Sequence, residues 1–215
     1  VPTVDPAGAP TVVPSVGPPV TPTLAPKPLA SATPVPVSGS ADEDGDGLTL
    51  NEERLYTTRP NVSDSDGDGY ADGAEVRGGY SPRDPSGRTL EADGLFTSSA
   101  TSLGFRWAYP RDSLAPEASA GGVVTLRLDP RLGETIAATR SPLDQLPSLL
   151  VEWGSPAVQE VVARVRGART AEIVPRYYFT TPDNQAIVVV TYEGGAPPSF
   201  LATYEAVMRS FQWEP

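Results

Sequence analysis

The chain has 215 residues, with 27 Asp+Glu against 16 Lys+Arg, no Cys and no His, and a net charge of −11. Without His there is no imidazole base for a Ser-His-Asp or Cys-His constellation, and without Cys there is no thiolate nucleophile, disulfide or Cys/His zinc site. The acidic balance excludes nucleic acid as a partner, because neutralising phosphate needs clustered Lys/Arg. No apolar run approaches the ~20 residues of a membrane span. The opening residues carry no signal-peptide pattern, the expectation for a processed or internal start. The charge divides the chain into three segments: residues 1–41 are neutral overall, 42–93 hold 14 acids against 5 Arg, and 94–215 hold 12 acids against 10 Arg.

Residues 1–41 contain 11 of the 25 prolines, and Pro2, Pro6, Pro10, Pro14, Pro18, Pro22 and Pro26 recur every fourth position. Proline fixes φ and pushes its predecessor to extended geometry, so this segment is expected to be a polyproline II arm or linker with no packed core. Its nine Ser/Thr residues among prolines also suit O-linked glycans. Packing against a neighbouring subunit is the second expectation for the arm.

Next come two runs that read alike, Asp42-Glu-Asp44-Gly-Asp46-Gly-Leu48 ending in Glu53, and Asp64-Ser-Asp66-Gly-Asp68-Gly-Tyr70 ending in Glu75. Ca²⁺ takes 6–8 oxygens, and alternate residues of a tight loop aim three carboxylates at one centre. Position 6 (Gly47, Gly69) must turn sharply, which glycine permits. Position 7 needs only a backbone carbonyl, so Leu48 and Tyr70 are acceptable, and Glu53 or Glu75 at position 12 closes the shell. At position 9, Asp72 binds directly or through water, whereas Leu50 leaves that slot to solvent. The candidate ligands are therefore Asp42, Asp44, Asp46, Leu48 and Glu53 for one ion, and Asp64, Asp66, Asp68, Tyr70, Asp72 and Glu75 for a second. Thr49 stands three before Glu52, and Asp72 three before Glu75, both capping-box spacings that start short helices. One such run arises by chance in an acidic tail. Two of them, 22 residues apart and each with Gly at 6 and Glu at 12, do not read as a solvated linker. Mg²⁺ rarely uses an all-protein cage and is the weaker candidate.

Residues 42–88 resemble the thrombospondin type 3-like calcium repeats of bacterial surface and secreted proteins. Besides the loops, the resemblance rests on the linker Tyr56–Asp64 and on Gly79-Tyr-Ser-Pro-Arg-Asp84-Pro85, close to that family's G-T-D-P-x-D-P. It implies a compact, EF-hand-like two-ion module in which linker groups complete each other's coordination. Arg59, Arg83 and Leu50 depart from the pattern.

Residues 94–215 are long enough for a core. Phe105–Tyr109 and Val123–Leu128 read as strands, Leu143–Trp153 as a helix, and Val161–Arg166 as either. Arg176–Thr181 and Ala186–Tyr192 flank Pro182-Asp-Asn184 as a hairpin. Phe200, Leu201, Tyr204, Val207, Met208 and Phe211 form a helical stripe that packs across a sheet. The fold class is α+β. On Gly104–Pro110, Tyr177–Asp183 and Tyr204–Phe211, this segment is weakly similar to the domain type of the photosystem II oxygen-evolving protein P. That resemblance implies an antiparallel sheet with helices on both faces, in a binding or scaffolding domain.

The remaining catalytic chemistry is a carboxylate pair, as in glycoside hydrolysis. Its candidates are Asp112, Glu117, Asp129, Glu134, Asp144, Glu152, Glu160, Glu172, Asp183, Glu193, Glu205 and Glu214, and no pair is flagged by spacing. The leading expectation is an extracellular, bacterial cell-surface protein that binds about two Ca²⁺ ions and is not an enzyme. It would serve as an adhesion or scaffolding module whose partners are other protein subunits or cell-surface components. The alternative is a subunit of an extracellular filament, with the arm packed on its neighbour; a carboxylate hydrolase stands third.

Overall fold

A computed structural model describes residues 39–129, 131–147, 149, 157–162, 165–170 and 173–215. The Pro-rich arm, apart from its last three residues, and most of 148–156 lie outside the described residues, as do Glu152 and Glu172.

Two seven-residue helices follow the two loops. The first, α1 (Leu50–Tyr56), starts on Thr49, whose hydroxyl accepts from the Glu52 amide while the Glu52 carboxylate accepts from the Thr49 amide. This reciprocal box satisfies two of the amides that a helix start leaves unpaired. The second, α2 (Asp72–Gly78), starts on Ala71 and has no side-chain cap, so the capping role expected of Asp72 is not realised. Its carboxylate is used elsewhere: Oδ1 accepts from the Ser65 amide at 2.7 Å. α2 ends on Gly79 in the left-handed region (φ 84°), the usual glycine stop.

Most of the other described residues form antiparallel β-structure, closed by a C-terminal helix, consistent with the α+β class. β1 (Phe96–Ala100), β2 (Phe105–Pro110) and β10 (Gln212–Trp213) form a three-stranded sheet in the order β1-β2-β10. A seven-stranded sheet runs β3-β4-β5-β9-β8-β7-β6, built from β3 (Leu114–Ala118), β4 (Val123–Asp129), β5 (Glu134–Pro142), β6 (Ala157–Val162), β7 (Val165–Thr170), β8 (Tyr177–Thr180) and β9 (Ala186–Glu193). The expected hairpin is β8–β9, pairing Tyr177 with Val190 through Thr180 with Ile187. Its tip bends at Asn184 (φ 55°), with Asp183 accepting from Thr181 and Gln185. Of Val161–Arg166, which periodicity left open, Val161–Val162 end β6 and Val165–Arg166 begin β7, its antiparallel partner, while 163–164 lie outside the described residues. β3 is an edge strand containing Pro116, with a register shift between Leu114 and Glu117, where a missing amide costs no ladder bond.

The segment expected to be helical from Leu143 begins as a 3₁₀ turn (Leu143–Gln145). Leu143, Leu146 and Leu149 cover the outer face of the large sheet over Tyr178, Ile187 and Val189.

The closing helix α3 (Leu201–Arg209) carries the expected stripe, flanked by Phe200 and Phe211. Phe211 stacks on Phe105 of β2 at 4.5 Å and on Phe179 of β8 at 3.9 Å, which ties the two sheets together. Ala202, Thr203 and Ala206, off the stripe, are also buried, because α1 and α2 cover that side of the helix. Leu48, Tyr56, Val76 and Leu90 consequently share one apolar cluster with Phe96, Trp107, Leu126 and Val207. The described residues belong to one compact unit. No helix among them is long and apolar enough to cross a membrane.

Candidate metal centre

Both acidic loops are wired the same way. In the first, Asp42 accepts from Gly45 and Gly47 (2.8 and 2.9 Å), Asp44 from the Asp46 amide (3.2 Å), and Asp46 from Leu48 (2.6 Å). In the second, Asp64 accepts from Gly67 and Gly69 (2.7 and 2.9 Å), Asp66 from Asp68 (3.1 Å), and Asp68 from Tyr70 (2.9 Å). The amide of position 6 reaches the carboxylate of position 1 only because Gly47 and Gly69 hold φ of 94° and 99°, a region that strains residues with a Cβ. The motif's spacing thus has a local cause. Short carboxylates fold back on amides two to five residues ahead, and each loop curls around its own acids.

That wiring uses one oxygen of several acids and leaves the other free. Asp44 Oδ2, Asp46 Oδ2, Asp66 Oδ2, Asp72 Oδ2 and Glu75 Oε2 are all buried with no hydrogen-bond partner in the protein. Asp72 is fully buried, and Glu75 and Asp46 are 6% and 9% exposed. A buried, unpartnered carboxylate oxygen is costly, and these five, gathered in two clusters, are the lone pairs a cation could take up. Oxygen atoms of Asp42, Asp44 and Asp46 lie within 4.8 Å of one another, as do those of Asp46, Glu53 and Asp72, and those of Asp64, Asp66 and Asp68. An all-oxygen, carboxylate-rich donor set fits a hard divalent cation and suits neither a soft metal nor an organic group.

The structure places Asp72 differently from its position in the second loop. Its carboxylate joins Asp46 and Glu53 in the first cluster, whose own position 9, Leu50, offers no side-chain oxygen. Gly73 makes this possible: a Cβ there would stand 2.4 Å from the Asp46 carbonyl oxygen, so only glycine lets α2 approach the first loop this closely. Arg77 holds the same seam, donating to the Gly47 carbonyl at 2.8 Å and pairing with Glu205 at 3.1 Å. The first cluster therefore has five carboxylates: Asp42, Asp44, Asp46, Glu53 and Asp72. The second has Asp64, Asp66 and Asp68 together, with Glu75 near enough for all three to bear on its charge. Leu48 is buried and anchors the first loop in the core, whereas the Tyr70 ring is 67% exposed. Arg59, outside the repeat pattern, grips the start of the second loop through the Asp64 and Ser65 carbonyls.

The electrostatics follow from burial and crowding. Desolvation, reinforced by Asp66, Asp68 and Asp72, pushes Glu75 up to about 8. Desolvation first, then Asp46, Asp44 and Asp72, raises Glu53 to about 7. Asp46 rises to about 6, chiefly from desolvation and then from Asp44, Asp72 and Asp42. Asp72 and Asp66 are also raised, in both cases mainly by desolvation. Without a counter-ion Glu53 and Glu75 hold protons near neutrality, and a divalent cation would expel them.

Glu52 has a role that its place in a capping box does not reveal. It is fully buried, and Oε1 accepts from the Thr203 amide at 2.7 Å and the Thr203 hydroxyl at 2.9 Å. α3 has no cap of its own, so this carboxylate from α1 caps it. Thr49 Oγ1 donates to Ser199 O at 2.5 Å, and the Tyr56 hydroxyl meets Thr203 Oγ1 at 3.0 Å. Glu53, a candidate ligand, is the next residue along the same helix. Among the acids considered for hydrolysis, Glu134 is buried, accepting from the Tyr192 hydroxyl and from the Ser199 amide.

No family model matches this chain, and no curated protein or solved structure is significantly similar to it.

Proposed function

We propose that this chain is a non-catalytic calcium-binding module of the bacterial cell surface, acting in adhesion or scaffolding. One ion would be held by Asp42, Asp44, Asp46, Glu53, Asp72 and the Leu48 carbonyl. A second would be held by Asp64, Asp66, Asp68, Glu75 and the Tyr70 carbonyl. The observation that carries this reading is the set of five buried, unpartnered carboxylate oxygens in two clusters. The ions supply the positive charge that lets these acids stay ionised and the loops stay closed. Because α1 and α2 pack on α3, cation binding at the loops stabilises the helix that ties the two sheets. In sequence the loops stand between the Pro-rich arm and the sheets, so calcium would stiffen that junction and fix how the domain is presented. Extracellular placement accords with weak modules that fill at ambient millimolar calcium.

The test is calorimetric titration of the chelated protein with Ca²⁺, paired with thermal melts. Two ions are expected, with Mg²⁺ a poor substitute. A hundredfold excess over the dissociation constant stabilises by about 2.7 kcal/mol per site, which is about 5–10 °C for a chain of this size. An unchanged melting temperature in millimolar calcium would sink the proposal.

A further inference from the structure

The two cation clusters differ in how they are closed. The first is enclosed: Leu48 and Leu50 beside its loop are buried, and its Glu53 and Asp72 are 2% and 0% exposed. The second lends its position-9 acid, Asp72, to the first, and so has one carboxylate fewer. It opens on a cleft of about 400 Å³ lined by Asp68, Tyr70, Glu75, Gly78 and Tyr80. Glu75 is 6% exposed, and its Oε2 is unpartnered. The two rings on the rim are 67% (Tyr70) and 47% (Tyr80) exposed, although large apolar rings normally seek cover.

Tyr80 is held in place. Gly79 turns the chain at φ 84°, the Tyr80 amide donates to the Glu75 carbonyl at 2.9 Å, and Tyr80 pairs with Thr89 in an isolated bridge. Its ring lies over Gly78, where a Cβ would stand 3.0 Å from Cδ2 and displace it. The cleft thus combines a cation site with an open side, one aromatic ring held in place at Tyr80 and a second, Tyr70, on the rim.

We infer that the second site binds a neutral glycan, a pyranose whose vicinal hydroxyls complete the cation's oxygen shell while its C–H face stacks on Tyr70 and Tyr80. This rests on the calcium reading above. Charge selects the neutral ligand: four carboxylates around one divalent ion leave the site negative, so carboxylate or phosphate ligands are repelled and hydroxyls are not. Tyrosine suits the other side, since its ring is apolar and its hydroxyl remains wet.

Saturation-transfer NMR on the full chain with methyl α-mannoside and methyl β-galactoside, in about 5 mM calcium chloride, tests this. Transfer to at least one pyranoside is expected, abolished by chelator and at least tenfold weaker in Tyr80→Ala. Tyr80→Phe should retain it, and calorimetry should still count two ions in both variants. If two ions bind but neither sugar receives saturation, the glycan proposal is overturned and the calcium reading stands. If no ion binds, both fall. Acetate displacing the sugar at equal concentration would show an anion site and likewise overturn the proposal.

Discussion

Asp72 shows how a residue's place in a motif can differ from its place in space. Counted along the chain it is position 9 of the second loop, yet its carboxylate lies with Asp46 and Glu53 of the first. Its Oδ1 is taken by the Ser65 amide, which leaves Oδ2 for the cluster. Asp72→Asn should therefore weaken the first site by about tenfold or more, because affinity follows the number of charged ligands. The second site, closed by Glu75, should change little. Glu75→Gln should do the reverse. Calcium titration of the two variants distinguishes the cases: if Asp72→Asn depletes the same site as Glu75→Gln, the shared-ligand geometry is wrong. Repeat spacing alone could not show this exchange, because it depends on the 2.4 Å approach that Gly73 permits.

At the scale of elements, what was legible in the sequence is what local chemistry decides. The Thr49–Glu52 box, the glycine turns of both loops, the β8–β9 hairpin and the apolar stripe of α3 all depend on neighbours within a few residues. What was hidden depends on partners far away in sequence. Thr203 sits off the α3 stripe and reads as solvent-facing, yet it is fully buried against Glu52, 151 residues earlier. β10 is only two residues long and exists because Phe105 and Arg106 offer it an edge. The helix expected from Leu143 is present at 146, 147 and 149 after a 3₁₀ first turn, but its seat on Ile187 and Val189 of the sheet was not legible. The α1–α3 joint is testable. Glu52→Ala leaves the Thr203 amide buried without an acceptor and its hydroxyl with Tyr56 alone, and should cost about 2–4 kcal/mol. Thr49→Ala, which removes a cap and the bond to Ser199, should cost about 1–2 kcal/mol. Chemical denaturation in saturating calcium measures both. A cost for Glu52→Ala within about 0.5 kcal/mol, the range of ordinary surface changes, would show that α3 is not capped from α1.

Across the whole molecule, the loops and the sheets share one core, so the charge state of the loops must be felt as global stability. In the metal-free protein, burial raises Asp46 to about 6, Glu52 and Glu53 to about 7, and Glu75 to about 8, against ordinary values of 3.8 for Asp and 4.5 for Glu. Between about pH 4.5 and 8 the folded chain therefore binds more protons than the unfolded one, and stability must fall as pH rises through that window. The acids with lowered values, Asp84, Asp93 and Asp183, carry the opposite sign, but theirs acts below their ordinary value of 3.8 and leaves this window clear. In chelator, the melting temperature should thus drop by at least ~5 °C from pH 5 to pH 8. Calcium flattens the slope. A bound cation lowers its ligand carboxyls, Asp46, Glu53 and Glu75, below their unfolded values, so in the loaded protein they titrate below this window and only Glu52, the α3 cap, still contributes to the fall. The two melting curves should converge near pH 5, where protons replace the ion, and diverge towards pH 8. Parallel pH profiles with and without calcium would mean that the acids crowded at the two clusters are not the groups on which the fold depends.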